Sequence, residues 1–350
     1  MTPGLRSRLA LAAIGRRLPA MVARDSQATL AQGLHVAIVG SGSPLPDRRR
    51  GCACAVVMAG GRSFVVDAGE RSAETMARMG LAPSRVEAVL LTHFHSDHIG
   101  GLGTLALARW MACAARSPMR VLGPPGVERV VAGVNEAYAL DSSYRTAHHG
   151  PELAPPSGSG MTAEPFAMPG GEAPTVVLEH DGLRITAFAV DHAPVVPALG
   201  YRFDYEGRAV VISGDTVYSP SLVRAAERAD LLIHDSLSAE LLGLVERTAR
   251  EAGLQLRARM LADVPAYHAG AARAADAARD ARVGALALTH VIPPLPLRAL
   301  EPLFMGDARE HFAGPMWVAR DGDLYSLPTG TGARTGGVER ARLIGRSAGG

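Results

Sequence analysis

Three imidazoles and a carboxylate fall within six consecutive positions of this 350-residue chain: His93, His95, Asp97 and His98, in the string Thr92-His93-Phe94-His95-Ser96-Asp97-His98. Imidazole nitrogen and carboxylate oxygen suit zinc, and also iron or manganese, so the chemistry such a run offers is metal binding. Just after a strand, alternation projects His93 and His95 to one side, while Asp97 and His98 turn toward a neighbouring point at the start of the next helix. One loop can thus serve two adjacent ions. It cannot complete two coordination shells, so further donors are expected where other strands end: His192 after 183–190, Asp215 after 208–213 and His290 after 283–289. Each alone reads as an ordinary surface or core residue. Behind the 93–98 run, and in this order, they read as a set.

The elements that must position these residues are apolar runs. Segments 34–39, 52–58, 63–67 and 86–91 read as strands, with Gly60-Gly61 as a hairpin turn, and 70–79 as a helix ending at Gly80. Helical patterns over 101–114 and 127–139 flank a strand at 119–122. Segment 148–174 carries six prolines and is expected to be an irregular loop that lines or covers a site. Strands resume at 175–180, 183–190, 200–205 and 208–213, paired around Asp181-Gly182 and Glu206-Gly207. Helices are expected over 219–228, 238–253 and 269–281, with strands 230–234 and 283–289 between them. Hairpin-joined strands interspersed with helices suggest an α/β fold of two sheets between helical layers. The domain plan is a basic extension at 1–33 broken at Pro19, one folded domain at 34–327, and a Gly- and Arg-rich flexible tail at 328–350.

Composition excludes little else. Hydrophobic residues at 47% and charged residues at 20% argue for a buried core and against bulk disorder. A net charge of +2, carried entirely by Arg because Lys is absent, does not by itself imply a nucleic-acid or membrane partner. Three cysteines give no disulfide framework, which favours a reducing compartment and a cytoplasmic location; the basic-apolar N-terminus offers an exported alternative. Cys52 and Cys54 read as strand packing rather than ligands, His148 and His149 as exposed loop residues, and Trp110 and Trp317 as core. No apolar run approaches the roughly 18 residues a membrane helix needs.

The run at 93–98, followed by His192, Asp215 and His290, resembles the five motif regions of the metallo-β-lactamase superfamily, over roughly 34–325 of the chain. By that resemblance His93, His95 and His192 would hold one ion, Asp97, His98 and His290 the second, and Asp215 would bridge them. It implies two zinc ions, with manganese or iron as alternatives, and an αββα sandwich. A bridging water between ions about 3.5–4 Å apart becomes hydroxide near neutral pH and is the expected nucleophile. Asp97 is expected to accept a hydrogen bond from it, and the helix start after Gly100-Gly101 to help anchor an anion.

Two further stretches resemble the branch shared by ribonuclease Z and the arylsulfatase-like enzymes. Gly40-Ser41-Gly42-Ser43-Pro44 resembles its entry turn, and Leu232-Ile233-His234-Asp235-Ser236 its His-Glu-Ala-Thr motif with Asp for Glu. Tyr267-His268-Ala269-Gly270 resembles its second histidine motif without the Ser/Thr. The resemblance implies that Asp235 and His268 form a proton-delivery pair beside Asp97. Gly123-Pro124-Pro125-Gly126, with Tyr138, Asp141 and Tyr144-Arg145, resembles the arylsulfatase-like group. Members that process tRNA carry a basic, Gly-Pro-rich arm, whereas 148–174 has no Arg and carries Glu152, Glu164 and Glu172. The expected substrate is therefore a small phosphodiester or sulfate ester, with no nucleic-acid partner and a homodimer compatible with the pattern. The alternatives are a ribonuclease Z-like tRNA 3′-processing endonuclease, or a lactone or thioester hydrolase of the same fold.

Overall fold

Strands that are apolar at every position need cover on both faces, and this requirement organises the chain. The computed structural model describes residues 4–22, 24–169, 173–329 and 337–344. Six strands come first: β1 (Gly33–Gly40), β2 (Cys54–Ala59), β3 (Arg62–Val66), β4 (Val86–Leu90), β5 (Met119–Gly123) and β6 (Met161–Pro165). Seven follow: β7 (Thr175–His180), β8 (Leu183–Ala189), β9 (Leu199–Tyr205), β10 (Arg208–Ile212), β11 (Leu231–Leu237), β12 (Leu286–Ile292) and β13 (Met316–Val318). The last two, β14 (Asp323–Pro328) and β15 (Glu339–Arg342), return to the first group. One mixed sheet has eight strands in the order β15-β14-β1-β2-β3-β4-β5-β6; the other has seven, β13-β12-β11-β10-β9-β8-β7.

Alternate side chains of β1 sort to two sides. Leu34, Val36 and Ile38 join Phe64, Leu90, Tyr201, Phe203 and Ile233 between the sheets. Ala37 and Val39 pack outward against Met76, Leu105 and Val131 from helices. The outer face of the second sheet, with Val211, Leu232 and Leu288, meets the alanines of helix Ala271–Asp280, whose small side chains let it lie close. Each fully buried Leu, Val or Phe contributes about 1.5–3 kcal/mol over leaving it exposed. The result is the expected αββα arrangement. The turns Gly60-Gly61, Asp181-Gly182 and Glu206-Gly207 all have φ between 47° and 78°, the left-handed pair that a two-residue hairpin needs.

Several boundaries differ from the sequence expectation. The helix expected to end at 139 is Val127–His149; Asp141-Ser142-Ser143 looks like a stop, but Asp141 pairs with Arg145 at 2.8 Å one turn on. Segment 148–174 is not irregular throughout, because β6 adds to β5 in parallel as an edge strand, a place where the terminal Pro165 is tolerated. Gly170, Gly171 and Glu172 lie outside the described residues. Helix Leu5–Val22 runs through Pro19, which falls in its last turn and forgoes a single backbone hydrogen bond. Helix Gln255–Asp263 was not expected. The tail contributes β15, antiparallel to β14; residues 330–336 and 345–350 lie outside the described ones. No helix among the described residues is long and apolar enough to cross a membrane.

Candidate metal centre

Strands of both sheets deliver their polar ends to one edge of the sandwich. His93 and His95 follow β4, Asp97 and His98 lie in the short helix Ser96–Ile99, His192 follows β8 and Asp215 follows β10. Donor atoms of His93, His95, His192 and Asp215 lie within 4.8 Å of one another, as do those of Asp97, His98 and His290, and those of Asp215, His268 and His290. Asp215 sits at the centre: its Oδ2 is 3.2 Å from His98 Nε2, 3.3 Å from His290 Nε2, 3.8 Å from His93 Nε2 and 3.9 Å from His192 Nε2. Among these residues His95 alone is exposed.

Local backbone features aim these groups. Gly214 has φ +64° and approaches so closely that a Cβ there would stand 2.3 Å from Leu199 O, so only glycine can precede Asp215 here. His290 does not end its strand as expected. β12 runs on to Ile292, with Asp235 opposite Thr289 and Ser236 opposite Val291, so His290 is the extra residue of a β-bulge and has φ +48°. A bulge turns one side chain out of the ladder, here toward Asp97, whose Oδ2 is 3.1 Å from His290 Nε2.

Asp67, which sequence reasoning missed, orients the cluster from behind. Its carboxylate accepts from Thr92 N, Thr92 Oγ1 and His98 Nδ1, each at 2.8 Å. His192 is held similarly, with Nδ1 donating to Tyr267 O at 2.8 Å. With Nδ1 anchored, each ring presents Nε2 to the centre. Removing such an outer carboxylate typically costs 10–100-fold in metal affinity. Asp67→Asn should therefore weaken zinc binding by about that factor in a competition titration against a chelator; unchanged affinity would show that Asp67 has no orienting role.

The electrostatics of the cluster favour a cation. Burial opposes charge on His98, yet the Asp215 and Asp67 carboxylates raise it well above the usual imidazole range. His290 is likewise raised, against burial, by Asp215 and Asp97. Burial works against Asp215 as well, but His290 and His98 hold it well below the usual carboxylate range. His93, buried and beside His98, is pushed well down. The same carboxylates that raise His98 and His290 would be offset by a cation placed among them. His98 Nε2 and His192 Nε2 are buried without a hydrogen-bond partner. Buried nitrogen and oxygen donors, orphaned and convergent, fit divalent cations.

Beside the cluster, His268 Nδ1 lies 2.9 Å from Asp235 Oδ2, and the His268 ring stacks on His290 with centroids 5.1 Å apart. Burial disfavours charge on Asp235, while His234 and His268 hold it below the usual carboxylate range. Just before the helix start at Leu102, the N–H groups of Gly100 and Gly101 are committed, to Ser96 O and Ala68 O. Cys54 is buried with its thiol pushed up to about 12, and no cysteine belongs to a candidate metal group among the described residues. His148 and His149 end an exposed helix, and Trp110 is core.

Residues 47–312 match the family model of the metallo-beta-lactamase superfamily. The chain is 36% identical to ribonuclease Z of Mycobacterium sp. (strain KMS) over 263 residues, 75% of this chain and 85% of that protein. It is 33% identical to ribonuclease Z of Mycobacterium avium (strain 104) over 290 residues, 82% of this chain and 96% of that protein. In structure, the short form of human tRNase Z superposes with a TM-score of 0.61 at 19% identity, covering 84% of this chain and all (100%) of that one. The metallo-beta-lactamase fold protein YhfI of Bacillus subtilis gives 0.60 at 19% identity, with 84% and 100% covered. The ribonuclease Z relatives overturn the expectation of an arylsulfatase-like enzyme without a nucleic-acid partner. That expectation weighed the charge of 148–174 and the likeness of 123–126, Tyr138, Asp141 and Tyr144-Arg145, local features that say nothing of arginines supplied by other parts of the fold.

Proposed function

This chain belongs to the metallo-β-lactamase superfamily, in its ribonuclease Z branch, and from that premise we propose that this metal-dependent hydrolase cleaves RNA phosphodiester bonds, with precursor tRNA as its substrate. The observation that carries the reading is the identity to ribonuclease Z across most of that protein's length. A groove lined by Asp47, Arg48, Arg49, Arg257 and Pro293 adds support; Pro293 follows His290 by three positions, and the three arginines, exposed, outnumber the one carboxylate. Exposed guanidinium groups attract phosphate without reading sequence.

In this reading His93, His95 and His192 would hold one zinc ion, Asp97, His98 and His290 would hold the other, and Asp215 would serve both. When bound, such a pair supplies a hydroxide nucleophile at neutral pH and stabilises charge developing on the phosphoryl oxygens. The chain's own groups do the rest. Asp97 holds the proton of the attacking water, while Asp67, through His98, fixes the ring that faces it. His268 gives a proton to the departing ribose oxygen from the nitrogen not engaged by Asp235, and Asp235 keeps the ring oriented for that transfer.

The test compares kcat/KM for a precursor tRNA bearing a 3′ extension with those for nitrophenyl phosphodiester, nitrophenyl sulfate and a lactone. The RNA should be the best substrate by at least about tenfold, equivalent to roughly 1.4 kcal/mol of transition-state binding. A small ester turned over faster than the RNA would overturn the proposal.

A further inference from the structure

Asp235 faces two imidazoles. His268 Nδ1 takes its Oδ2 at 2.9 Å; on the other side His234 Nδ1 lies 2.8 Å from the backbone carbonyl of Asp235 and 3.0 Å from its Oδ1. The ring proton of His234 points at the carbonyl, and Oδ1 beside it has no hydrogen bond of its own. All three residues are buried, His234 completely, at 0% exposure. His234 Nε2 has no partner either, so Nδ1 is the ring's one working donor.

We infer that His234 is a positioning residue: it clamps the main chain and the carboxylate of Asp235 together, so that Oδ2 is presented to His268. Asp is one methylene shorter than Glu, which keeps the carboxylate close to its own carbonyl, where a single Nδ1–H can face both. Without His234, Oδ1 would be a buried carboxylate oxygen with no positive hydrogen nearby, a costly arrangement that rotation of the side chain would relieve. Rotation takes Oδ2 from His268 and frees the imidazole that delivers the proton. The inference rests on the hydrolytic role proposed for His268, but its geometry is independent of which ester is cleaved.

The experiment uses the full chain loaded with zinc and labelled with ¹⁵N-histidine. Two variants are compared: His234→Leu, which removes the donor, and His234→Asn, whose side-chain amide places a donor near the Nδ1 position. Loss of an outer orienting partner typically costs 10–100-fold. His234→Leu should lower kcat on precursor tRNA by about that factor, with KM and zinc content unchanged, and His234→Asn should recover most of the loss. The downfield His268 Nδ1–H resonance should persist in the wild type and in His234→Asn and disappear in His234→Leu. Full kcat in a folded His234→Leu protein, or an unchanged resonance there, would overturn the inference. If His234→Leu does not fold, His234→Asn decides: a retained resonance supports the clamp and a lost one refutes it. If the wild type does not cleave RNA, the substrate reading fails, and the resonance arm still decides the role of His234.

Discussion

Asp215→Ala should remove metal from both positions and lower turnover by at least about 10³-fold. Four imidazole nitrogens approach Asp215 Oδ2 at 3.2–3.9 Å, and they belong to both candidate donor sets. Alanine leaves those rings facing one another without the buried carboxylate that offsets the charge they surround. Metal stabilisation of a transition state is worth several kcal/mol, and about 4 kcal/mol corresponds to about 10³-fold. Elemental analysis of the purified variant, beside its turnover, checks both parts. A variant that holds as much metal as the wild type would show that Asp215 is not shared between two ions.

His268→Ala should lower turnover by about 10²–10⁴-fold, the usual contribution of general acid–base catalysis. Zinc content should stay as in the wild type, because His268 Nδ1 is committed to Asp235 and the seven other donors remain. The leaving group discriminates the role. A ribose alkoxide needs a proton to depart, whereas nitrophenolate leaves without one, so the loss on a nitrophenyl diester should be far smaller than on RNA. His268 also lies within reach of Asp215 and His290 as a third group of donors. Loss of metal in His268→Ala would make it a ligand instead; full activity on RNA would deny it either role.

The site was legible in the sequence where residue types were dense or sat at strand ends. The run from His93 to His98, and His192 and Asp215 behind their strands, are brought together as the spacing suggested. Asp67 was not legible, because a lone acid after an apolar strand has many ordinary explanations and its partners, Thr92 and His98, are 25 and 31 positions away. The bulge at His290 was hidden for a different reason. A bulge is defined by cross-strand register with β11, which no single segment encodes. The sheets were legible because hairpin turns and apolar runs are local signals. Strand β6 was not, since prolines flank it and its pairing with β5 comes from the tertiary fold. The expectation of no nucleic-acid partner leaned on charge counted along one loop, while Arg257 joins Arg48 and Arg49 at one groove only in the folded chain.

The central claim, that a metal site built on these seven donors hydrolyses RNA, is tested most directly by mapping the ends produced from a precursor tRNA with a 3′ extension. The zinc-loaded protein, the chelated protein and the chelated protein restored with zinc are compared on the same transcript. The account predicts one discrete cut that separates the 3′ extension, abolished by chelation and recovered with zinc. An intact transcript under zinc-loaded conditions, or cleavage that survives complete removal of metal, would contradict it.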